Sequence, residues 1–228
     1  MSIAIHKRKA LDTFDDDTFF ALHAEALAIV VSAAETAYKA RRVASSKLRV
    51  ISGGQTGADR AALEAARSVH VPTGGTAPCG FLTANGRDHT LRTVFGLREL
   101  PNAKSISKMF VLRSQRNVDD ADATIAFRLK ASVGTDKTIG YAITRKWRVA
   151  SARDFQRPER QHYKPCLVVR SVDDVEAAAE AIVDFAQRTG ARTINVCGHR
   201  NDETAGVPGF ADVVRRVVQR ALVQIVNG

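Results

Sequence analysis

Short apolar runs alternate with longer amphipathic stretches along most of the chain. The first run, residues 48–51, is too short for a helix and is β-branched at Val50 and Ile51, so it predicts a buried strand. A glycine-rich turn follows, and alanines at helical spacing then predict a helix that begins near Ala58. A strand, a glycine turn and a helix in this order form the first half of a βαβ unit.

The same alternation continues towards the end of the sequence. Strands are predicted at residues 70–77, 96–100, 121–128, 165–170 and 192–198, helices at 103–119, 175–190 and 208–225, and a loop followed by a helix at 134–146. Ser171 and Asp174 resemble a capping box for the helix that ends at Gly190. Because strands alternate with helices, we predict an α/β fold with a Rossmann-like, open, mostly parallel sheet and helices on both faces.

Two segments depart from this alternation. Residues 1–46 predict an N-terminal helical extension. Its helix is expected to run from Thr18 to about Arg42, after an aspartate cluster at residues 15–17, and it carries apolar residues on more than one face. Residues 147–164 are basic and have little apolar periodicity, which favours a solvated insertion, with an acidic or nucleic-acid partner as the alternative. The Rossmann-like domain is thus expected to span residues 47–228.

Composition and charge narrow the choice of partner. The chain has 228 residues with a formal net charge of +10, which favours a phosphorylated small molecule, a nucleic acid or an acidic membrane surface without choosing among them. No apolar run approaches the roughly 20 residues of a membrane span, and no secretory signal is visible. Cys79, Cys166 and Cys197 are far apart and form no metal-binding pair, so we expect a reducing, cytoplasmic environment.

Glycine and hydroxyl residues follow several of the predicted strands. Ligands bind beyond the carboxyl ends of parallel strands, where glycine turns and helix N-termini offer free N–H groups to anions. Four such loops, at residues 53–57, 73–76, 132–138 and 198–201, predict a ligand with more than one negative group. The alternative is a set of tight turns without a ligand, because neither the Walker nor the dinucleotide fingerprint is present.

The sequence contains no convincing catalytic set or metal site. Arg113 could pair with an anion or fix a loop, whereas Asn117 and Asp122 fit a role in loop geometry. Asp59 lies in the first turn of its helix, where the dipole stabilises a carboxylate. His199 could act as a base, but no nucleophile stands at a fixed spacing from it.

Four segments together resemble a known family. ISGGQTGADRAALEAA, RSQRNVDDADATIAF, the Gly134-Thr135 loop and INVCGHRNDETAGVPG resemble, in this order, the molybdenum cofactor carrier proteins. That family belongs to the Rossmann-like folds related to lysine-decarboxylase-like proteins and to DNA-processing protein A. The resemblance covers about residues 48–209.

This resemblance implies a homo-oligomer that binds and protects molybdenum cofactor (molybdopterin) and holds the pterin phosphate and the oxo-metal anion in the loops. No catalytic or metal-ligating residue is implied. The implied cofactor-binding residues are Gly53, Gly54, Gln55, Thr56, Gly57, Arg113, Asn117, Gly134, Thr135, Gly198 and Arg200.

Three functions therefore stand as hypotheses. The first is a carrier for a phosphate-bearing cofactor, which is molybdenum cofactor by resemblance, and in which Gly54→Asp is expected to abolish binding and spare the fold. The second is a nucleotide or nucleoside-phosphate hydrolase that uses the same loops, and the third is a nucleic-acid-binding module that uses the basic insertion. Related phosphoribohydrolases carry a glutamate after the glycine-threonine loop, where this chain has Asp136, Lys137 and Thr138, and this disfavours that activity.

Overall fold

The computed structural model of the chain describes residues 48–101, 105–144 and 164–227. The predicted extension at residues 1–46 and the predicted insertion, apart from Lys164, lie outside these ranges. The described strands are β1 Arg49–Ile51, β2 Thr73–Gly74, β3 Thr76–Ala77, β4 Leu82–Thr83, β5 Gly86–Arg87, β6 Arg98–Glu99, β7 Ala123–Phe127, β8 Cys166–Val169 and β9 Thr193–Gly198.

Helices connect most of these strands. The described helices are α1 Ala58–Ser68, α2 Thr90–Thr93, α3 Ile106–Asp120, α4 Val133–Thr144, α5 Val175–Thr189, α6 Asp202–Ala205 and α7 Phe210–Asn227, with a 3₁₀ turn at Cys79–Phe81. Among the described residues, no helix combines the length and the apolar character that crossing a bilayer requires.

The main sheet has five strands in the order β2-β1-β9-β7-β8, and every neighbouring pair is parallel. The predicted Rossmann-like α/β fold is therefore confirmed. The last strand of the chain, β9, occupies the centre between β1 and β7. If the strands are counted from β9, the order reads 3-2-1-4-5, which is how a doubly wound nucleotide-binding sheet begins.

One face of the sheet carries the main hydrophobic core. Side chains alternate between the two faces of a strand, so Ala123, Ile125 and Phe127 of β7 point to the same side. They join a large buried cluster that α1, α5 and α7 complete, with Ile194 and Val196 contributed by β9. Because this cluster is continuous across the strands and three helices, it supplies most of the apolar burial that stabilises the fold.

The opposite face, beneath α3 and α4, is packed more thinly. Its apolar cluster consists of Val118, Tyr141 and Ala142, against which Cys166 packs. The strands contribute polar side chains here, and the Asn195 side-chain amide donates to the Thr124 hydroxyl at 3.3 Å. The thin packing leaves space between the sheet and these two helices.

Residues 70–77 differ from the single predicted strand. Gly75 has φ 121°, and a Cβ at this position would overlap the backbone oxygen of Ser52. The chain therefore turns at Gly75, so that β2 pairs with β1 while β3 leaves the main sheet and pairs with β6. Residues 78–87, for which no strand or helix is predicted from the sequence, contain the 3₁₀ turn and the antiparallel β4-β5 pair.

The two ends of α5 can be compared with the capping signals predicted from the sequence. Asp174 is the N-cap, and its carboxylate accepts a hydrogen bond from the backbone N–H of Ala177 at 3.0 Å. Ser171 takes no part in the cap, because its hydroxyl donates to the Asp173 carboxylate at 2.8 Å. Gly190 ends the helix in the left-handed region, as its position after the apolar stripe predicts.

We expect alanine substitutions at two glycines to change stability in opposite directions. A Cβ on Gly198 would lie 2.7 Å from the Phe127 carbonyl oxygen and 2.8 Å from the Ala58 Cβ, so Gly198→Ala should lower the free energy of unfolding by about 1–3 kcal/mol. Gly140 in α4 has open space around such a Cβ, so Gly140→Ala should raise it by about 0.5–1 kcal/mol. Urea denaturation of both variants checks this, and equal effects would contradict the close approach at Gly198.

Candidate functional site

A cavity of about 760 Å³ lies at the carboxyl ends of the central strands. Its walls come from α3, from the loop and helix that follow β7, and from the end of β9. In the strand order counted from β9, the connections reverse direction between β9 and β7. That reversal is where open α/β sheets bind their ligands.

A buried ion pair lies in the wall of this cavity. The Asp59 carboxylate accepts a hydrogen bond from Nη1 of Arg113 at 2.9 Å and another from the backbone N–H of Gln55 at 3.3 Å. The Asp59 and Arg113 side chains are 4% and 11% exposed. Position 53 requires a glycine for steric reasons, because a Cβ there would overlap the Arg113 guanidinium.

The charge of Asp59 depends on Arg113. Burial raises the pKa of the Asp59 carboxyl, and the charge and hydrogen bond of Arg113 are the main influences that lower this pKa. Nε of Arg113 is buried and has no hydrogen-bond partner among the described residues. Arg113 thus neutralises the carboxylate and retains an unused donor beside the cavity.

Positive and hydroxyl groups surround the rest of the polar wall. Lys137 and Arg200 are exposed side chains at the cavity. The N-terminus of α4 also faces it, through Ser132, Gly134 and Thr135. A helix N-terminus and two cations make this end of the cavity attractive to anions.

The other wall is apolar. Phe110 and Val111 of α3 face the cavity together with Val133 and Tyr141 of α4. Val133 is 74% exposed and Val111 is 40% exposed, although both are aliphatic. The cavity therefore offers one polar, cationic side and one apolar side.

The predicted site residues divide among three places. Gln55, Arg113, Gly134, Thr135, Gly198 and Arg200 line the 760 Å³ cavity. Gly54, Thr56 and Gly57 line a second cavity of about 350 Å³, together with Arg60 and Asp88, which form an ion pair. Gly53, Asn117 and the loop at residues 73–76 line neither cavity.

Gly54 is unsuitable for the substitution that the sequence suggested. Its φ is +70°, and a Cβ on it would lie 2.6 Å from Cδ2 of Leu91 and 2.9 Å from Cδ2 of Leu97. Both leucines are buried. The expectation that Gly54→Asp spares the fold is wrong, because the new side chain would need both a strained backbone and space that the leucines occupy.

The side chain of Asn117 has a structural role, because both of its polar atoms bond to the backbone of Thr76. Its side-chain oxygen accepts from the backbone N–H of Thr76 at 2.7 Å, and its side-chain nitrogen donates to the Thr76 carbonyl at 3.0 Å. These two bonds attach β3 to α3. Asp122 likewise accepts from the backbone N–H groups of Arg192 and Thr193 at the start of β9, as its interpretation in loop geometry anticipates.

Two titratable side chains near the cavity, those of His199 and Asp136, already have hydrogen-bond partners. Nε2 of His199 accepts two backbone hydrogen bonds, and burial and the charge of Arg128 lower the pKa of this imidazole. Asp136 forms a two-bond ion pair with Arg128 at 2.7 and 3.2 Å. Neither side chain lines the cavity.

Sequence reasoning missed several residues that line the cavity. Lys137 stands one turn after Gly134 on α4, so its position was accessible from helical spacing. Phe110 and Tyr141 gave no such signal, because an aromatic residue at helical spacing predicts a core position. They belong to the two helices that cover the thin face.

Comparison with known families agrees with this topology. The sequence model of the circularly permutated YpsA SLOG family matches residues 50–222. The chain belongs to this family. A central strand that follows the other strands in the sequence, as β9 does among the described residues, is what circular permutation of a doubly wound sheet would produce.

A solved structure resembles this member of the circularly permutated YpsA SLOG family. It is the 1.45 Å crystal structure of a protein from Syntrophus aciditrophicus SB that bears the name "Putative molybdenum carrier protein". The two chains are 29% identical with a TM-score of 0.56, and the match covers 76% of this chain and 93% of the other. A comparison with functionally curated proteins finds no match.

We expect Arg113→Met to destabilise the protein through Asp59. The variant leaves a buried carboxylate unpaired, so its free energy of unfolding should fall by about 3–5 kcal/mol near neutral pH. Without Arg113 the pKa of Asp59 rises further, so the folded state holds the proton more tightly than the unfolded state does. Stability should therefore decline as the pH rises from the ordinary value of 3.8 through the raised pKa and then level off.

Two further variants are controls for this measurement. Arg116→Met removes the exposed Arg116–Asp120 pair on the same helix and should change stability by less than about 0.5 kcal/mol. Asp59→Asn combined with Arg113→Met should be more stable than Arg113→Met alone, because no charge is then left unpaired. If Arg113→Met and Arg116→Met unfold at the same urea concentration, the buried pair does not have the role described.

Proposed function

We propose that this protein is a binding and carrier protein for molybdenum cofactor, which it holds as cargo in the 760 Å³ cavity. The observation that carries the proposal is the balance of charge in that cavity. Among the described residues lining it, the one carboxylate is that of Asp59, and Arg113 neutralises it. Lys137 and Arg200 remain as uncompensated positive charges among the lining residues.

The polar side of the cavity suits the phosphate and oxo groups of the cargo. The N-terminus of α4 presents N–H groups and the positive end of its dipole, and Ser132 and Thr135 add hydroxyl groups. Arg113 lines this wall as well, and its buried Nε has no hydrogen-bond partner among the described residues. Charge-assisted hydrogen bonds from such groups are the strongest that a protein offers to an anion.

The remaining properties of the cavity fit a flat organic group. Its volume lies within the roughly 300–1,000 Å³ of small-molecule sites, and Phe110, Val111, Val133 and Tyr141 supply an apolar wall. The name of the molybdenum carrier neighbour and the resemblance of the sequence motifs support the choice of a pterin-based cofactor over other phosphates.

The donor set favours a cargo that keeps its own metal ligands. Burial raises the pKa of the Cys197 thiol well above its ordinary value, so the cavity offers a protonated thiol instead of a thiolate. The described residues contain no group of three or more histidine, cysteine or acidic side chains placed to hold a metal ion. The residues in place therefore fit the oxo and phosphate groups through hydrogen bonds.

We also propose that the carrier is a homo-oligomer, as the family resemblance implies. Large apolar side chains on α3 and α4 stay open to solvent, among them Ile106 at 58%, Ile143 at 48% and Leu112 at 38% exposure. Exposed large apolar side chains commonly mark a protein interface when they form a patch. Light scattering after size-exclusion chromatography distinguishes an oligomer from a monomer of 24.7 kDa.

We expect Lys137→Ala and Arg200→Ala each to weaken cofactor binding about 3- to 10-fold without changing the fold. Both side chains are exposed at the cavity, so their loss removes attraction for the anion without creating a void. Molybdenum and pterin content of each variant, purified from a cofactor-producing host, measures retention. Titration with released cofactor at two salt concentrations gives the affinity, whose salt dependence should decrease in both variants.

Arg188→Ala is the matched control. It removes an equal charge from the exposed end of α5, where Arg188 pairs with Asp184, and it should retain cofactor as the parent does. Equal losses in all three variants would indicate general attraction to a basic protein and contradict the proposed site. Turnover in a parallel incubation with nucleotides would replace the carrier proposal with the hydrolase hypothesis.

A further inference from the structure

His199 is a buried titratable residue with no part in the cavity lining. Its side chain is 1% exposed and follows directly after β9. Nε2 accepts hydrogen bonds from the backbone N–H groups of Leu129 and Lys130, at 3.1 and 3.2 Å. A single ring nitrogen therefore satisfies two donors that lie about seventy residues away in the sequence.

This arrangement defines the protonation state of the ring. Nε2 faces two donors, so it carries the lone pair, and the proton of the neutral imidazole is on Nδ1. Nδ1 is buried and has no partner among the described residues. The ring meets Phe210 of α7 edge-on, with centroids 5.8 Å apart and an interplanar angle of 79°.

The two donors immediately precede the segment that forms one wall of the cavity. Leu129 and Lys130 follow β7, and the next residues in the chain, 131–135, line the cavity and begin α4. His199 itself is adjacent to Gly198 and Arg200, which line the same cavity from β9. The imidazole thus connects the two loops that meet at the reversal of strand order.

We propose that His199 is a positioning residue, whose neutral imidazole holds the loop after β7 so that the N-terminus of α4 faces the cargo. This inference rests on the proposed function for its consequence, although the contact itself is independent of any ligand. Protonation of Nε2 would place a third donor against the two backbone N–H groups, and the loop would lose its anchor. The wall of the cavity then loosens, and affinity for an anion falls.

The charged groups that face His199 determine when this happens. Arg128 and Lys130 disfavour the imidazolium, and Asp136 favours it, while α7 contributes the uncharged ring of Phe210. Burial acts in the same direction as Arg128 and lowers the pKa of His199. Unfolded protein therefore takes up the proton first, so this residue should reduce stability as the pH falls through about 6.5 towards the lower folded pKa.

Two variants separate the hydrogen bonds from the packing. His199→Gln places a carbonyl oxygen within reach of the Nε2 position, so it can still accept but cannot titrate. His199→Phe keeps a ring of similar size and offers no acceptor. NMR hydrogen exchange on the full chain then gives protection factors for the Leu129 and Lys130 amides, with the β1 amides as internal references.

We expect these amides in the parent to lose at least 10-fold protection between pH 7.5 and 5.0, beyond any loss in β1. His199→Gln should keep the pH 7.5 protection at both pH values, and His199→Phe should lose about 10-fold at both. Histidine ¹⁵N shifts in the parent should report the proton on Nδ1. A proton on Nε2, or the same pH-dependent loss in His199→Gln, would overturn the proposal even if His199→Phe fails to fold.

Binding of molybdate and of inorganic phosphate, measured by calorimetry, tests the consequence for the cavity. His199→Phe should weaken binding of these probes at least 5-fold at pH 7.5, and His199→Gln should restore it. Unchanged binding in a His199→Phe variant that has lost amide protection would refute the positioning role. If the parent retains neither probe nor released cofactor, the proposed function fails, and the amide and ¹⁵N results still decide whether His199 anchors the loop.

Discussion

The carboxylate of Asp59 is the constraint around which the candidate site is arranged. It is buried at the start of α1, and burial alone would favour its neutral form. Arg113 reaches it from α3 and lies against Gly53, where only a glycine leaves room for the guanidinium. One ion pair therefore joins the glycine turn after β1 to the helix that covers the cavity, and it also removes the negative charge that would repel an anionic ligand.

The cavity itself results from the unequal packing of the two faces of the sheet. Three helices and alternate strand residues fill one face, and this face supplies most of the apolar burial. On the other face, Thr124 and Asn195 satisfy each other and the apolar cluster is small. Stability thus comes from one side of the sheet, and the other side keeps space and polar groups available for a ligand.

Local sequence signals predicted the elements well, because the periodicity of apolar residues follows directly from the geometry of strands and helices. The helix after the glycine turn, the strand before α4 and the glycine end of α5 all lie where their patterns indicate. The order of the strands was not accessible in this way. Pairing of β9 between β1 and β7 joins residues far apart in sequence, and no periodicity records it.

Part of the site was predictable as well, because apolar periodicity locates the strands and therefore their ends. Loops at the ends of strands could be identified, and six of the eleven predicted residues do line the main cavity. The turn at Gly75 directs the loop at residues 73–76 away from it, and the pairing of Asn117 with Thr76 depends on that turn. His199 was considered as a base, whereas its contacts with Leu129 and Lys130 exist only once β7 and β9 are side by side.

The central place of the last strand also affects how the chain can fold during synthesis. β1 and β7 do not pair with each other, and each is joined to the sheet's other half through β9 alone. While the ribosome is still making residues 193–198, the β2-β1 pair and the β7-β8 pair have no shared ladder and expose the edges that β9 will cover. In the unpermuted order the central strand is made first and can serve as a template, whereas here the sheet can close only after residues 193–198 have been made.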